Sequence, residues 1–226
     1  MFKVEKRYSN GLSVLSNFTW SKMLDDLSQS DLYNRRANKG VSTGNRGKRF
    51  IFSWNYELPL GKGRKFLDSG PLSYVIGGWN VGGINTVQSG IPLTPTASPN
   101  LCFCFPSGSV RADRIGNPEG AKQLRNWFNL AAFQHPGSLR FGNSAPGVII
   151  GPGLWTLDLS VSKDVVISKE ANRRFNFRAD IFNSLNHANF DPPSTAIFPA
   201  NAPGTTNVIT SAQDPRLIQL SLRFIF

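Results

Sequence analysis

The final stretch of the chain, Pro215 to Phe226, constrains the fold most. Read in steps of two, Ile218, Leu220, Leu222, Phe224 and Phe226 share one face, and Gln219, Ser221 and Arg223 share the other. Side chains alternate along an extended strand, so this is a β-strand with one apolar and one charged, polar face. Such a strand suits the edge of a soluble sheet. It equally suits a sheet whose apolar side meets lipid and whose polar side lines a wet lumen. The other strands decide between these.

From the start, Phe2, Val4, Lys6 and Tyr8 alternate with Lys3, Glu5 and Arg7, and Leu12, Val14, Phe18 and Trp20 alternate with Ser13, Asn17 and Thr19. Both apolar faces fall on even numbers. A two-residue Asn10-Gly11 turn would pair Ser9 with Leu12 and put the faces on opposite sides. A three-residue loop pairing Tyr8 with Leu12, with Gly11 left-handed, keeps them together and is the expected turn. Next, Phe50, Phe52, Trp54, Tyr56 and Leu58 alternate with Ile51, Ser53, Asn55 and Glu57. A Gly-rich strand follows between Tyr74 and Ile91, with Trp79, Val81 and Val87 opposite Asn80, Thr86 and Gln88, and with Asn85 out of place on the apolar face. Later, Trp155, Leu157, Leu159 and Val161 alternate with Thr156, Asp158, Ser160 and Ser162, while Phe175, Phe177, Ala179 and Ile181 alternate with Arg174, Asn176, Arg178 and Asp180. Pairing Ile167 with Arg173 across the turn 168–172 aligns these two odd-numbered faces.

Composition agrees with an all-β chain: Gly 21 and Pro 15 punctuate it, and Phe 17 is a high count. No apolar run approaches the roughly 18 residues of a membrane-crossing helix. The start, Met1 to Lys6, lacks the apolar centre of a signal peptide, so an exported protein would take its targeting segment from outside this sequence. The net charge is +11, but the basic residues are spread over the whole length. Nothing resembles a basic helix, a zinc finger or an aromatic RNA-binding strand, so no nucleic-acid partner is expected. Gly61-Lys62-Gly63 is a basic turn rather than a phosphate loop, because no Ser or Thr follows Lys62 and no helix pattern begins there. Cys102 and Cys104, one residue apart, are two loop thiols or a local crosslink, and half a metal site at best. No cofactor or metal is expected.

In order, these elements form an antiparallel meander of about seven long strands. Short connections alternate with long ones at 22–47, 92–153 and 187–214, the middle one carrying a short helical turn around Lys122 to Phe128. Outer-membrane barrels alternate in this way, with short periplasmic turns and long extracellular loops. Strands near ten residues suit a tilted crossing of the hydrocarbon. Tyr8, Trp20, Trp54, Tyr56, Trp79, Trp155, Phe175 and Phe177 are then the expected lipid-facing and girdle residues. Asp158, Asn176, Arg178, Asp180, Gln219 and Arg223 are the expected lumen-facing ones.

Several runs bring a family into view. Trp127-Phe128-Asn129 with Ala131-Ala132-Phe133, then Phe141-Gly142-Asn143, Gly151-Pro152-Gly153 and Asp158-Leu159-Ser160, resemble the C-terminal barrel of TonB-dependent outer-membrane receptors. The likeness is greatest to the Oar-like branch, which carries a carboxypeptidase-regulatory-like front domain. The run Phe175 to His187, the final Arg223-Phe224-Ile225-Phe226, Thr19-Trp20-Ser21-Lys22 and Tyr56-Glu57-Leu58-Pro59 fit it too. The resemblance implies a barrel of about 22 strands around an N-terminal plug, importing scarce or bulky nutrients with energy relayed by TonB. Residues 1–226 would then be the C-terminal part of that barrel, without plug, signal peptide or earlier strands. The implied partners are outer-membrane lipid, the barrel-assembly machinery, TonB through the plug, and an imported substrate. Leu220, Leu222, Phe224 and Phe226 resemble the C-terminal signal read by that machinery.

Two further readings stand beside it: a soluble secreted β-sandwich that binds a partner, and a small autonomous outer-membrane barrel. An enzyme is not expected. Only His135 and His187 offer a catalytic base, neither lies in a nucleophile motif, and Asp191 is near His187 in sequence alone.

Overall fold

The computed structural model describes residues 1–27, 31, 33–61, 64, 66, 69–70, 72–103, 108–168, 173–197 and 206–226. The chain forms one seven-stranded antiparallel sheet in sequence order. Its strands are β1 (Phe2–Ser9), β2 (Leu12–Trp20), β3 (Lys48–Glu57), β4 (Trp79–Gln88), β5 (Leu154–Ser168), β6 (Arg173–Phe182) and β7 (Leu217–Ile225). Connections 10–11, 58–78 and 169–172 fall at one rim, and 21–47, 89–153 and 183–216 at the other. The fifteen residues of β5 pair with β4 through Leu154–Lys163 and with β6 through Leu159–Ser168. Neighbouring strands are therefore staggered, as the shear of a tilted barrel wall requires.

Register keeps the two faces separate throughout. Phe18 pairs with Phe2 and Phe50, Trp54 with Val14 and Gly83, Val161 with Val81 and Ala179, and Phe177 with Leu222. The parity read from the sequence holds in both hairpins of the short rim, but by another device. Lys6 pairs with Val14 as expected, yet Ser9 pairs with Leu12 across a two-residue turn. Asn10 and Gly11 both have positive φ, the requirement of a primed hairpin turn. An irregularity between Lys6 and Ser9 absorbs the odd residue that the expected three-residue loop was to absorb. Likewise Val166 pairs with Arg174, but Ser168, not Ile167, pairs with Arg173. Turn residues 169–172 lie outside the described residues, as do Lys62 and Cys104; Cys102 is disulfide-bonded.

Two expected elements differ. The segment from Tyr74 belongs to a helical turn, Leu72–Ile76, and the strand begins only at Trp79, after Gly78 turns the chain with positive φ. Lys122 to Phe128 are not helical: Glu119–Gln123 pairs with Asn126–Phe128 as a hairpin, and a 3-10 turn follows at Leu130–Ala132. The reason is tertiary, since Phe128 is fully buried and both its backbone polar groups bond Asn207.

The buried apolar cluster contains Ala97, Val110, Ala112, Phe128, Ala132, Phe133, Ile149 and Ile197. Every one lies in a long connection. Among the described residues no buried apolar side chain belongs to the seven strands, and no second sheet covers their apolar face. A β-sandwich is thereby excluded, because its core is the space between two sheets. The long connections instead fold into a small cap at their rim. It is built from two-residue pairings such as Pro92–Leu93 with Ile149–Ile150 and Thr96–Ala97 with Val110–Arg111.

Candidate functional site

The functional surfaces are the two faces of the sheet and the cap. Even-numbered residues of β1–β3 and β7 and odd-numbered residues of β4–β6 build the apolar face. Trp20, Trp54, Tyr56, Trp79, Trp155, Phe175 and Phe177 all stand at its register positions. At the short rim they form an aromatic band: the Trp79 and Phe177 rings meet edge-on at 6.2 Å, and Phe224 lies 5.0 Å from Phe175 and 5.7 Å from Phe226. Lys163, also on this face, places its ammonium 5.3 Å from the Trp79 ring centroid and donates to Val75 O at 2.6 Å. Its charge is thus drawn toward the rim while its stem lies on the apolar face. At the long rim stand Trp20 and Trp155. Asn85, out of place by pattern, accepts a hydrogen bond from Trp155 Nε1 at 3.0 Å, so the apolar face holds no unanswered amide oxygen there. Gly83 has a packing reason: a Cβ on it would lie 2.9 Å from Trp54 Nε1.

Tyr8 stands at the short rim, at the end of β1. Past the irregularity in β1 its hydroxyl donates to the Glu57 carboxylate, which also pairs with Arg64. Tyr8 thus serves a polar cluster at the short rim.

On the opposite face the register brings all six lumen candidates together. Asp180 pairs with Gln219 and Asn176 with Arg223, while Ser160 beside Asp158 pairs with Asp180. Arg178 Nε donates to both oxygens of Asp180 at 2.9 and 2.8 Å, and Asn176 Nδ2 donates to Asp164 Oδ1 at 2.7 Å. Asp158 has a structural duty: its Oδ1 accepts the backbone N–H of Asn183 at 2.8 Å and anchors the turn leaving β6. This face is also concave over β1–β5, where Lys3, Glu5, Ser13, Ser53, Asn55 and Ser160 line a hollow.

The cap is what pattern reading missed. Asn207, buried with positive φ, donates from Nδ2 to Phe128 O at 2.6 Å and accepts from Phe128 N at 2.7 Å, locking the last connection onto the hairpin at 119–128. Val41 N donates to Pro146 O and so adds the first connection. Buried Asp113 pairs with Arg140 and accepts from Asn143 N at 2.9 Å. Burial pushes Arg111 below its ordinary pKa, against the pull of Asp31, while its Nη1 donates to Ser144 O at 2.9 Å. The histidines are occupied locally: His135 Nε2 lies 2.9 Å from Pro99 O, and the His187 ring packs 5.0 Å from Trp155.

A single sheet with a lipid-like face, an ionic face, aromatic bands at both ends and a cap at one rim defines a transmembrane β-barrel wall. The family described as outer membrane beta barrel domain matches residues 1–219, and the chain belongs to it. Its place is the bacterial outer membrane. Curated proteins and solved structures give no match to this chain.

Proposed function

We propose that this chain supplies consecutive wall strands of a TonB-dependent receptor, a plugged barrel that imports a scarce or bulky nutrient. One observation carries the reading: among the described residues, a sheet with an uncovered apolar face ends in two unpaired edges, β1 and β7. In hydrocarbon each unpaired backbone group costs several kcal/mol, so such a wall needs further strands to close. Closing seven strands on themselves would set β1 parallel to β7, whereas bacterial single-chain barrels close on even counts. The Oar-like sequence runs support the receptor class. In this reading the short connections are periplasmic, the cap is extracellular, and Asp158, Asn176, Arg178, Asp180, Gln219 and Arg223 line the lumen beside the plug. β7, with Leu220, Leu222, Phe224 and Phe226, engages the barrel-assembly machinery, and selectivity toward the substrate belongs to the cap and plug.

The test is to refold residues 1–226 alone in detergent micelles. The expected outcome is aggregation, with no monomeric, heat-modifiable species that conducts ions in a planar bilayer. A stable monomeric pore would contradict the proposal and leave the small autonomous barrel.

A further inference from the structure

Where segment 142–144 of the cap crosses residues 111–113, two buried charges lie close together and are provided for very differently. Asp113, 3% exposed, is answered in full: Arg140 pairs with it, and Asn143 N donates to its Oδ1 at 2.9 Å. Arg111, 4% exposed, has no ion pair among the described residues. Its Nη1 donates to Ser144 O at 2.9 Å, but its Nε is enclosed without a hydrogen-bond partner. The hydroxyl of Ser144, a residue with no exposed surface, is enclosed and unpartnered too. Because Nη1 holds the Ser144 carbonyl, the unpartnered N–H and O–H belong to one place.

The crossing that encloses them is fixed by the backbone. Ser144 N donates to Ala112 O at 3.1 Å, Arg114 N donates to Asn143 Oδ1 at 2.7 Å, and a Cβ on Gly142 would lie 1.8 Å from Arg111 O. Neither segment can slide to let Arg111 reach solvent without breaking these bonds.

Three partners are available to such a site, and charge separates them. A water accepts from both groups but leaves the guanidinium uncompensated, and a guanidinium does not give up its proton to escape burial. Asp31 attracts Arg111 without reaching ion-pair distance, and its Oδ1 already accepts Tyr33 N at 2.9 Å and Asn34 N at 3.1 Å. An anion supplies the acceptor and the countercharge together. Both unpartnered atoms are shut off from solvent, which selects a monatomic ion over phosphate, sulfate or a ligand carboxylate.

We propose that the cap encloses one small monatomic anion, of the class of chloride, to which Arg111 Nε and Ser144 Oγ donate. The ion clamps segment 142–144 onto 111–113, so closure of the cap depends on halide. The site lies wholly in the cap and stands apart from the receptor reading.

The experiment follows amide hydrogen exchange of 110–116 and 142–148 in the complete barrel protein, in sodium chloride, sodium bromide and sodium gluconate at equal ionic strength. A ligand at ten times its dissociation constant slows exchange through the open state about elevenfold, so chloride and bromide should each protect these segments on the order of tenfold over gluconate. Arg111→Met should exchange at one rate in all three salts. Asp31→Asn keeps the Oδ1 acceptor and removes the competing charge, so it should enlarge the chloride effect. In crystals grown with bromide, anomalous density should lie between Arg111 Nε and Ser144 Oγ, a measurement that needs no variant to fold. Equal protection of the unmutated cap in chloride and gluconate overturns the proposal. Equal protection of the seven strands would be a general salt effect and overturns it as well. So does a loss of protection in Asp31→Asn that chloride leaves unchanged, which assigns the countercharge to Asp31.

Discussion

The sheet and the cap obey opposite packing rules within one chain. The sheet holds most of the regular structure and the most aromatic strands, yet contributes no buried apolar side chain among the described residues. The cap has pairings as short as two residues, yet holds the whole buried apolar cluster. Solvent explains the difference. In water an apolar side chain gains by leaving the solvent, roughly 1.5–3 kcal/mol for a large one, so the cap closes around Phe128 and Ile149. In hydrocarbon there is no such gain, and backbone hydrogen bonding alone forces a paired sheet. On the proposed reading Phe177 and Leu222, paired on the apolar face, face lipid, where a soluble protein would bury them.

This contrast is sharpest under truncation. Phe128→Ala should open a cavity and cost the cap about 3–5 kcal/mol, read as faster hydrogen exchange and proteolysis within 89–153. Phe177→Ala should cost much less, because lipid fills the space; equal costs would break the distinction between the two regions. Charge should act with the opposite preference for position. At mid-membrane, Phe177→Arg should cost about 2–4 kcal/mol of barrel stability, whereas Asn176→Arg, one residue away on the ionic face, should be tolerated. Equal amounts of folded barrel for the two variants would mean the faces are wrongly assigned. The smallest effect belongs to the polar group held on the apolar face. Asn85→Ala removes the acceptor for Trp155 Nε1 and should cost about 0.5–1.5 kcal/mol, seen as a lower unfolding midpoint and a changed Trp155 emission.

Strand existence, faces and hairpin parity were legible because a period of two is strict, and one slipped residue would turn Phe177 or Trp54 to the wrong side. The bulges before Ser9 and Ser168 were not, since parity fixes the outcome and leaves open how a turn achieves it. The cap was illegible for a different reason: two-residue pairings carry no periodic signal. Ala121 to Arg125 are mostly good helix formers, and only the tertiary anchoring of Phe128 by Asn207 overrides them. Asparagines that turn the chain with positive φ, Asn183, Asn186 and Asn207, were the available trace of it. For the candidate lumen face, the pattern brought the six residues together, but not that Asp158 spends one oxygen holding the Asn183 turn.

The central claim is that the face carrying Trp54 lies in hydrocarbon while the cap does not. It is tested most directly by tryptophan quenching in vesicles whose lipids carry bromine midway along the acyl chain. Two forms of the complete barrel protein are compared, one keeping only Trp54 and the other only Trp127. Strong quenching and blue-shifted emission of Trp54, with Trp127 little affected, is the predicted result. A Trp54 that brominated lipid leaves bright and aqueous iodide quenches would contradict it.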